Sequence, residues 1–304
     1  MLNKKSSVYI KQKKSVFNNY IDNKIAQYLL KKSRKKPFPK THKMAIFAHD
    51  WICININQFG VYELEDLEFL FDFLTPISQK FTSGVAIDVG AHVGNHSLYF
   101  TNHFKHVFSH EPNPRVFDLL KFNTVDKPIT PKNSGLGDKN GILNLFLSTE
   151  EAGSSSFIEG YHESMKSVDN LNHVEAKIET IDNLYKDLSN LSLIKIDAEG
   201  FESNVLNGAK ETISRCIPII LIEQHEREFV NGSTPAISFL TEMGYTFFWF
   251  QKGIDSKNFF LRKICNIWEL FVGKNHTILG NDIPPVRTYS MLICIPKSLQ
   301  SYFH

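Results

Sequence analysis

The stretch VAIDVGAHVGNHS, residues 85–97, decides the fold of this chain of 304 residues. An apolar run ends at Asp88, and Gly90 and Gly94 follow it closely, ahead of residue types that favour the start of a helix. In open α/β sheets, the turn after the first strand combines such a run, an acid and spaced glycines into a ligand site. The stretch therefore predicts a nucleotide-sized site between a first strand and a helix.

The spacing of the glycines indicates which nucleotide is bound. A dinucleotide site needs G-x-G-x-x-G so that the backbone can approach a pyrophosphate. Counted from Gly90, the second and third glycine positions hold His92 and Asn95. The pattern argues against a dehydrogenase and suits a ligand with a ribose and a carboxylate but no phosphate. We therefore predict S-adenosylmethionine as the cofactor.

A second predicted strand ends at another acid, Glu111, within HVFSHEPNP (residues 106–114). The acid lies 21 residues beyond Gly90, close to the spacing of about 20 at which a carboxylate meets the ribose hydroxyls. Alone, Glu111 could equally be a solvated acid before a turn; the glycine turn favours the ribose role. The predicted cofactor contacts are Asp88, Gly90, Ala91, His92, Gly94, Asn95, Glu111, Pro112 and Asp197.

A third strand leads to Asp197 in LIKIDAEGFESNVLNGA, residues 193–209. Ligands bind at such strand ends, so Asp197 is a candidate base or electrostatic orienter, although an aspartate there can also cap the following helix. Glu223 and His225, just past a later strand, are the other candidate catalytic residues. Together with Glu199 these side chains could converge on magnesium, but the spacing does not demand it and we predict no metal.

These three segments, with PIILIEQHE (residues 218–226), resemble the FkbM family of S-adenosylmethionine-dependent methyltransferases over about residues 60–250. Residues 134–157 are similar to the strand-rich insert of that family, and His92 stands where members often carry Asn. The resemblance implies a Rossmann-like core of seven strands. It also implies methylation of a hydroxyl, on a sugar, a glycan or a small natural product.

Strand and helix patterns alternate along the chain, which predicts an α/β fold with a mostly parallel, doubly wound sheet. Residues 245–250 and 289–295 are predicted to close this sheet as an antiparallel pair. KMAIFAH and WICININ (residues 43–57) are predicted as a β-hairpin before Gly60, and residues 64–74 as a helix. A helical insertion is predicted at about 252–285, and its aromatic stretch, residues 258–271, is either an acceptor lid or a packed helix. The core strands are expected near residues 85–89, 106–110, 127–130, 192–196 and 217–222, with a further strand at 141–147.

The charge is distributed unevenly. Residues 1–43 hold thirteen lysines and arginines and one aspartate, a net charge of +12, while the remainder carries −10. Apolar residues from Phe17 to Leu29 recur at helical spacing, so this basic arm is predicted to contain an amphipathic helix, followed by the methyltransferase domain at 44–304. The helix either packs on the core, with solvated lysines, or makes peripheral contact with an anionic membrane through residues 1–36.

Composition excludes several other classes. The four cysteines form no C-x-x-C pair, which argues against a zinc site or a disulfide framework and fits a reducing compartment. No apolar run approaches the roughly 20 residues of a membrane span, and the N-terminal residues lack the apolar core of a signal peptide. We expect a cytoplasmic protein, with peripheral membrane contact as a further possibility. The cysteines are Cys53, Cys216, Cys265 and Cys294.

Two other functions stay open at this point. A nucleic-acid methyltransferase would suit the basic arm. However, the DAEG sequence at 197–200 lacks the prolines and stacking aromatic that base-flipping enzymes carry there, so nucleic acid is not the expected partner. The other is a non-catalytic protein that only binds S-adenosylmethionine.

Overall fold

The protein is built on an eight-stranded sheet with helices on both faces, seen in a computed structural model. The structure describes residues 16–35, 44–48, 50–148, 154–161, 173–252 and 276–303. Its α-helices are Val16–Lys35 (α1), Trp51–Phe59 (α2), Leu64–Phe73 (α3), Gln79–Thr82 (α4), Asn95–Phe100 (α5), Pro114–Asn123 (α6), Ile181–Leu184 (α7), Glu202–Asn207 (α8), Lys210–Cys216 (α9) and Pro235–Glu242 (α10). Its strands are Val85–Val89 (β1), His106–His110 (β2), Ile129–Lys132 (β3), Gly135–Leu136 (β4), Gly141–Leu147 (β5), Ser155–Ser156 (β6), His173–Glu179 (β7), Leu191–Ile196 (β8), Ile219–Gln224 (β9), Tyr245–Lys252 (β10), His276–Asn281 (β11) and Tyr289–Pro296 (β12).

The strand order of the main sheet is β11-β10-β12-β9-β8-β1-β2-β3. The five strands from β9 to β3 are parallel, and β12 runs antiparallel to both β9 and β10. Val89, at the end of β1, pairs with His110 on one side and Ile196 on the other. The carboxyl ends of β1, β2 and β8 therefore meet at one edge, where the strand order reverses and open α/β sheets bind their ligands.

The two faces of the sheet bury separate hydrophobic cores. Val85, Ile87 and Val89 of β1 pack into the core beneath α8, α9 and α10, whereas Ala86 packs into the opposite core with α3 and α5. Alternate residues of a strand point to opposite faces, so a strand covered on both sides is a continuous apolar run. This burial explains why the parallel strands were predictable from sequence, and the predicted α/β doubly wound class is confirmed.

A second, smaller sheet has the order β4-β7-β5-β6. It contains the strand predicted at 141–147, which is β5, and lies within the segment that resembles the strand-rich insert. Its residues Leu136 and Leu145 are buried and face the cavity described below. The small sheet is therefore a wall of the candidate site.

The predicted hairpin at 43–57 is wrong, because residues 51–59 form helix α2. The alternation of Ile and Asn in WICININ is typical of a strand, but the residues that cap this segment at both ends stabilise a helix. Asp50 accepts a hydrogen bond from the Cys53 N–H at the start of α2, and Gly60, with φ of 89°, ends it. Cys53 and Ile56, three residues apart, provide the buried face.

The predicted antiparallel pair is β10 and β12, and these strands are direct neighbours. The predicted aromatic stretch at 258–271 lies outside the described residues. Residues 276–281, placed within the helical insertion by the sequence, instead form β11, which adds an eighth strand at the sheet edge beyond β10.

Within the described residues, no helix combines the length and the apolar character needed to cross a bilayer.

Candidate active site

A cavity opens at the carboxyl ends of β1, β2 and β8. Gly90 follows β1, Glu111 follows β2 and Asp197 follows β8, and all three line it. Because parallel strands in register end together, residues far apart in sequence converge here.

Gly90 is the point of closest backbone approach in the cavity wall. Its φ is +72°, and a Cβ at this position would lie 1.8 Å from the Asp197 carbonyl oxygen. Only glycine avoids both the left-handed strain and this collision. The packing of Gly90 against Asp197 therefore fixes the turn after β1 against the turn after β8.

His92 lies in the turn after Gly90 and also lines the cavity. Both ring nitrogens are buried without a hydrogen-bond partner, although Asp50 Oδ2 approaches Nε2 at 4.0 Å. Burial lowers the pKa of His92, an effect that the nearby Asp50 carboxylate opposes. Buried polar atoms without partners are rare in proteins, so this imidazole, beside the cavity, has unused hydrogen-bonding capacity.

Glu111 is held rigidly by the backbone. One carboxylate oxygen accepts a hydrogen bond from the His92 N–H at 3.0 Å and the other accepts one from the Asn113 N–H at 2.8 Å. Burial raises the pKa of Glu111 to about 7, against the lowering effect of these two hydrogen bonds. Each carboxylate oxygen keeps a second lone pair, so the group can still accept hydrogen bonds from a bound diol.

Asp88, predicted as a cofactor contact, is completely buried and is not among the residues lining the cavity. Its Oδ2 accepts a hydrogen bond from Ser97 Oγ at 2.5 Å, and its Oδ1 lies 3.6 Å from Lys195 Nζ. The sequence placed the acid correctly at the strand end, but its side chain points into the protein. Asp88 therefore contacts Ser97 and Lys195 next to the cavity and does not face the ligand space.

Asp197 is paired with a second carboxyl group and an ammonium. Lys195 Nζ donates a hydrogen bond to Asp197 Oδ2 at 3.1 Å, and the carboxyl groups of Asp197 and Glu223 each shift the pKa of the other. Burial raises the pKa of Glu223 well above its usual value, and the Asp197 carboxylate raises it further. Burial would also raise the pKa of Asp197, but Lys195 and Glu223 lower it below its ordinary value. The pair therefore holds a proton on Glu223 and a negative charge on Asp197.

Glu223 and His225 do not line the cavity, but they come close to Glu199, which does. One ligand atom from each of the three side chains lies within 4.8 Å of the others, and His225 Nε2 is 3.8 Å from Glu223 Oε1. Oxygen and imidazole donors at such distances could hold a divalent cation.

The remaining predicted cofactor contacts divide into two groups. Pro112 lines the cavity, whereas Ala91, Gly94 and Asn95 do not. Asn95 instead exchanges two hydrogen bonds with the backbone of Tyr62, which ties the glycine turn to the segment before α3.

The sequence profile of the methyltransferase FkbM domain matches residues 88–247, more than half of the chain. The chain belongs to the FkbM methyltransferase family. It is therefore an S-adenosylmethionine-dependent methyltransferase, as the resemblance of its motifs predicted, and the predicted cofactor is confirmed. No curated protein matches the chain.

Several solved structures share features with this FkbM methyltransferase at low identity. The precorrin 8w decarboxylase of Methanobacterium thermoautotrophicum is 12% identical over 76% of this chain and 89% of its own, with a TM-score of 0.38. The FkbM methyltransferase of Methylobacillus flagellatus is 18% identical over 68% of this chain and 49% of its own, with a TM-score of 0.32. An O-methyltransferase of Thermotoga maritima is 10% identical over 80% of this chain and 69% of its own, with a TM-score of 0.39.

The residues present fit the cofactor of the FkbM family. Gly90 and Glu111 line the cavity, and the partnerless nitrogens of His92 match a ligand with a polar end. Apolar side chains of Ile52, Leu145 and Phe157 also line the cavity and can pack against a flat ring.

Sequence reasoning missed several of the residues that shape this site. Asp50 and Ile52 line the cavity, but the predicted hairpin hid them; an acid directly before an apolar run was the available signal for a helix cap. Lys195 was counted only as part of a strand, although a lysine inside a buried apolar run is a sign of a paired charge. His110 also lines the cavity and is fully buried.

Proposed function

We propose that this FkbM methyltransferase methylates a hydroxyl group on a sugar, a glycan or a small natural product. The observation that carries the proposal is the Asp197 carboxylate at the cavity wall, which accepts a hydrogen bond from Lys195 Nζ at 3.1 Å. A hydroxyl must lose its proton as its oxygen is methylated, and a neighbouring carboxylate can accept that proton. Asp197 is the member of the pair that lines the cavity and is reachable by an acceptor.

The cofactor, when bound, supplies an electrophilic methyl group on a sulfonium. We infer that Glu111 accepts hydrogen bonds from its ribose hydroxyls, because the carboxylate is fixed by two backbone N–H groups. His92 and Asp50 form a complementary pair for a zwitterionic amino-acid end, a donor for the carboxylate and an acceptor for the ammonium.

The Asp197–Glu223 pair, with Lys195 behind it, serves as the proton acceptor in this proposal. The Lys195 ammonium keeps a negative charge on Asp197, which orients the acceptor hydroxyl through a hydrogen bond. Because Glu223 already carries a proton, Asp197 is the member of the pair that accepts the proton of the hydroxyl. His225, next to Glu223, is placed to relay the proton outward.

We also propose that the enzyme acts in the cytoplasm. In the described part of the chain, Cys53, Cys216 and Cys294 are free thiols, which supports a reducing compartment.

The test is methyl transfer from isotope-labelled S-adenosylmethionine to a panel of acceptors. The panel contains neutral sugars, amino sugars, phenolic natural products and oligonucleotides, and the methylated atom is identified by NMR. We expect O-methylated sugar or natural-product products. Asp197→Asn should retain S-adenosylhomocysteine binding and lose transfer by roughly 10²-fold or more, and Glu223→Gln should lose it to a smaller extent. The control is Glu226→Gln, which alters an exposed acid three residues after Glu223.

Transfer to a ring nitrogen or an amine would contradict the hydroxyl assignment. Near-normal turnover of Asp197→Asn would show that Asp197 only shapes the turn before α8.

A further inference from the structure

The described part of α1 and the start of α2 expose apolar side chains that would be buried in an ordinary surface helix. Six of them are 38–63% exposed, and we call them the apolar face. The apolar face consists of Tyr20, Ile21, Ile25 and Tyr28 of α1 with Trp51 and Ile54 of α2.

The apolar face is carried by two neighbouring helices. Ile21, Ile25 and Tyr28 are four and three residues apart, so they lie on one side of α1. Helix α1 lies against α2, whose Trp51 and Ile54 are three residues apart. Trp51 is 62% exposed and Ile25 is 52% exposed. Large exposed apolar side chains gathered on neighbouring elements mark interaction sites.

The charge around the apolar face is positive. Helix α1 carries five basic residues and one acidic residue. Residues 1–43 together have a net charge of +12, whereas the remainder of the chain has −10. A partner for this surface must therefore accept apolar side chains and be negatively charged at the same place.

We propose that the apolar face and the basic residues of α1 dock on an anionic lipid bilayer. A bilayer interface offers an apolar layer for Ile21 and Ile25, a polar boundary that favours Trp and Tyr side chains, and negative headgroups for lysines. A nucleic acid would satisfy the charge but leave the isoleucines exposed. A second copy of the chain would satisfy the isoleucines but bring two basic helices together.

Docking would bring the catalytic site close to the bilayer. Ile52, next to Trp51 on α2, lines the cofactor cavity, and Asp50 at the cap of α2 lines it as well. The cavity wall therefore lies about one helix diameter, roughly 10 Å, from the docked face. This consequence rests on the proposed function, whereas the docking itself does not.

The experiment is co-sedimentation of the full chain with phosphatidylcholine vesicles, with and without phosphatidylserine. We expect binding only to the phosphatidylserine vesicles at ~0.1 M salt and release at ~1 M salt, where the Debye length falls to about 3 Å. Ile21→Glu/Ile25→Glu should bind at least about 10-fold more weakly. Lys24→Gln and Lys31→Gln should each weaken binding by about 5-fold.

The matched controls are Ile142→Glu and Ile283→Glu, which alter side chains 67% and 63% exposed in β5 and after β11. Both controls should bind vesicles like the wild type, and all variants should keep S-adenosylhomocysteine binding, which separates this proposal from the proposed function. Equal vesicle binding by Ile21→Glu/Ile25→Glu and the wild type would overturn the proposal. So would salt-sensitive binding to an oligonucleotide that these glutamates leave unchanged, or a dimer that they dissociate in a chain that ignores vesicles.

Discussion

Lys195 Nζ lies 3.1 Å from Asp197 Oδ2, so a buried ammonium two residues earlier in β8 holds the carboxylate of the candidate active site. The same ammonium is 3.6 Å from Asp88 Oδ1, directly across the pairing of β8 with β1. Burial would lower the pKa of Lys195, but the Asp197 and Asp88 carboxylates raise it above its ordinary value. Lys195 therefore stays charged and connects Asp88, which precedes the glycine turn, to Asp197 in the cavity wall.

Replacing Lys195 tests this link. Lys195→Met leaves two carboxylates without their cation, and breaking such a buried pair costs about 3–5 kcal/mol of the free energy of unfolding. Denaturant unfolding of the apo-protein measures it, and Asp88→Asn/Lys195→Met should recover part of the loss. Lys177→Met removes the exposed pair with Glu179, which is worth at most about 1 kcal/mol. Equal costs for Lys195→Met and Lys177→Met would show that Lys195 carries no special charge role.

Glu111 provides a test of the cofactor site. Glu111→Ala should weaken S-adenosylhomocysteine binding by about 1.5–3 kcal/mol, the range for hydrogen bonds to a charged group. Calorimetry measures the affinity, and the rise in melting temperature with ligand gives an independent check. NAD should give no rise. Glu175→Ala, at an exposed position on β7, is the control; a Glu111→Ala variant with unchanged affinity would remove the ribose assignment.

The ends of β1, β2 and β8 were predictable because strands buried on both faces are apolar runs that stop at the site. Once those strands are placed side by side, the convergence of Gly90, Glu111 and Asp197 follows from parallel pairing alone. The prediction needed no knowledge of side-chain direction, and it failed where direction matters. Asp88 occupies the expected strand end, yet it faces Ser97 and Lys195.

The contribution of α2 could not be read from its hydrophobic pattern. The ICININ sequence fits a two-residue period as well as a helix, and the choice depends on the cap formed by Asp50 and on burial of Cys53. The pairing of Glu223 with Asp197 likewise depends on the register of β8 and β9, in which Ile196 is opposite Ile222. Such contacts are set by tertiary packing rather than by local sequence.

His110 should make stability depend on pH. It is fully buried between Ser134 and Tyr185, and burial lowers its pKa to about 3. Unfolded histidine takes up a proton below about pH 6.5, so between pH 6.5 and 3 only the unfolded state binds it. The contribution of His110 to stability is therefore complete above pH 6.5 and falls by up to about 1.4 kcal/mol per pH unit below it.

Comparison with His110→Gln isolates this effect, because glutamine keeps hydrogen-bonding groups but does not titrate. The free energies of unfolding are compared at pH 8, where both side chains are neutral, and at steps down to pH 4.5. We expect the free energy of unfolding of the wild type to fall relative to that of His110→Gln as the pH falls. A constant gap would mean that His110 is protonated in the folded protein.

Removal of divalent cations should leave methyl transfer unchanged. Glu199, Glu223 and His225 are spaced as cation ligands could be, but the Lys195 ammonium already compensates the charge of Asp197, and burial raises the pKa of Glu223 so that it holds a proton. The measurement is transfer after dialysis against EDTA, followed by addition of Mg²⁺ or Mn²⁺. Activity that EDTA abolishes and Mn²⁺ restores would contradict the prediction. Loss of that restoration in Glu199→Gln, with S-adenosylhomocysteine affinity unchanged, would then assign the cation to these three side chains and make it the group that activates the acceptor hydroxyl.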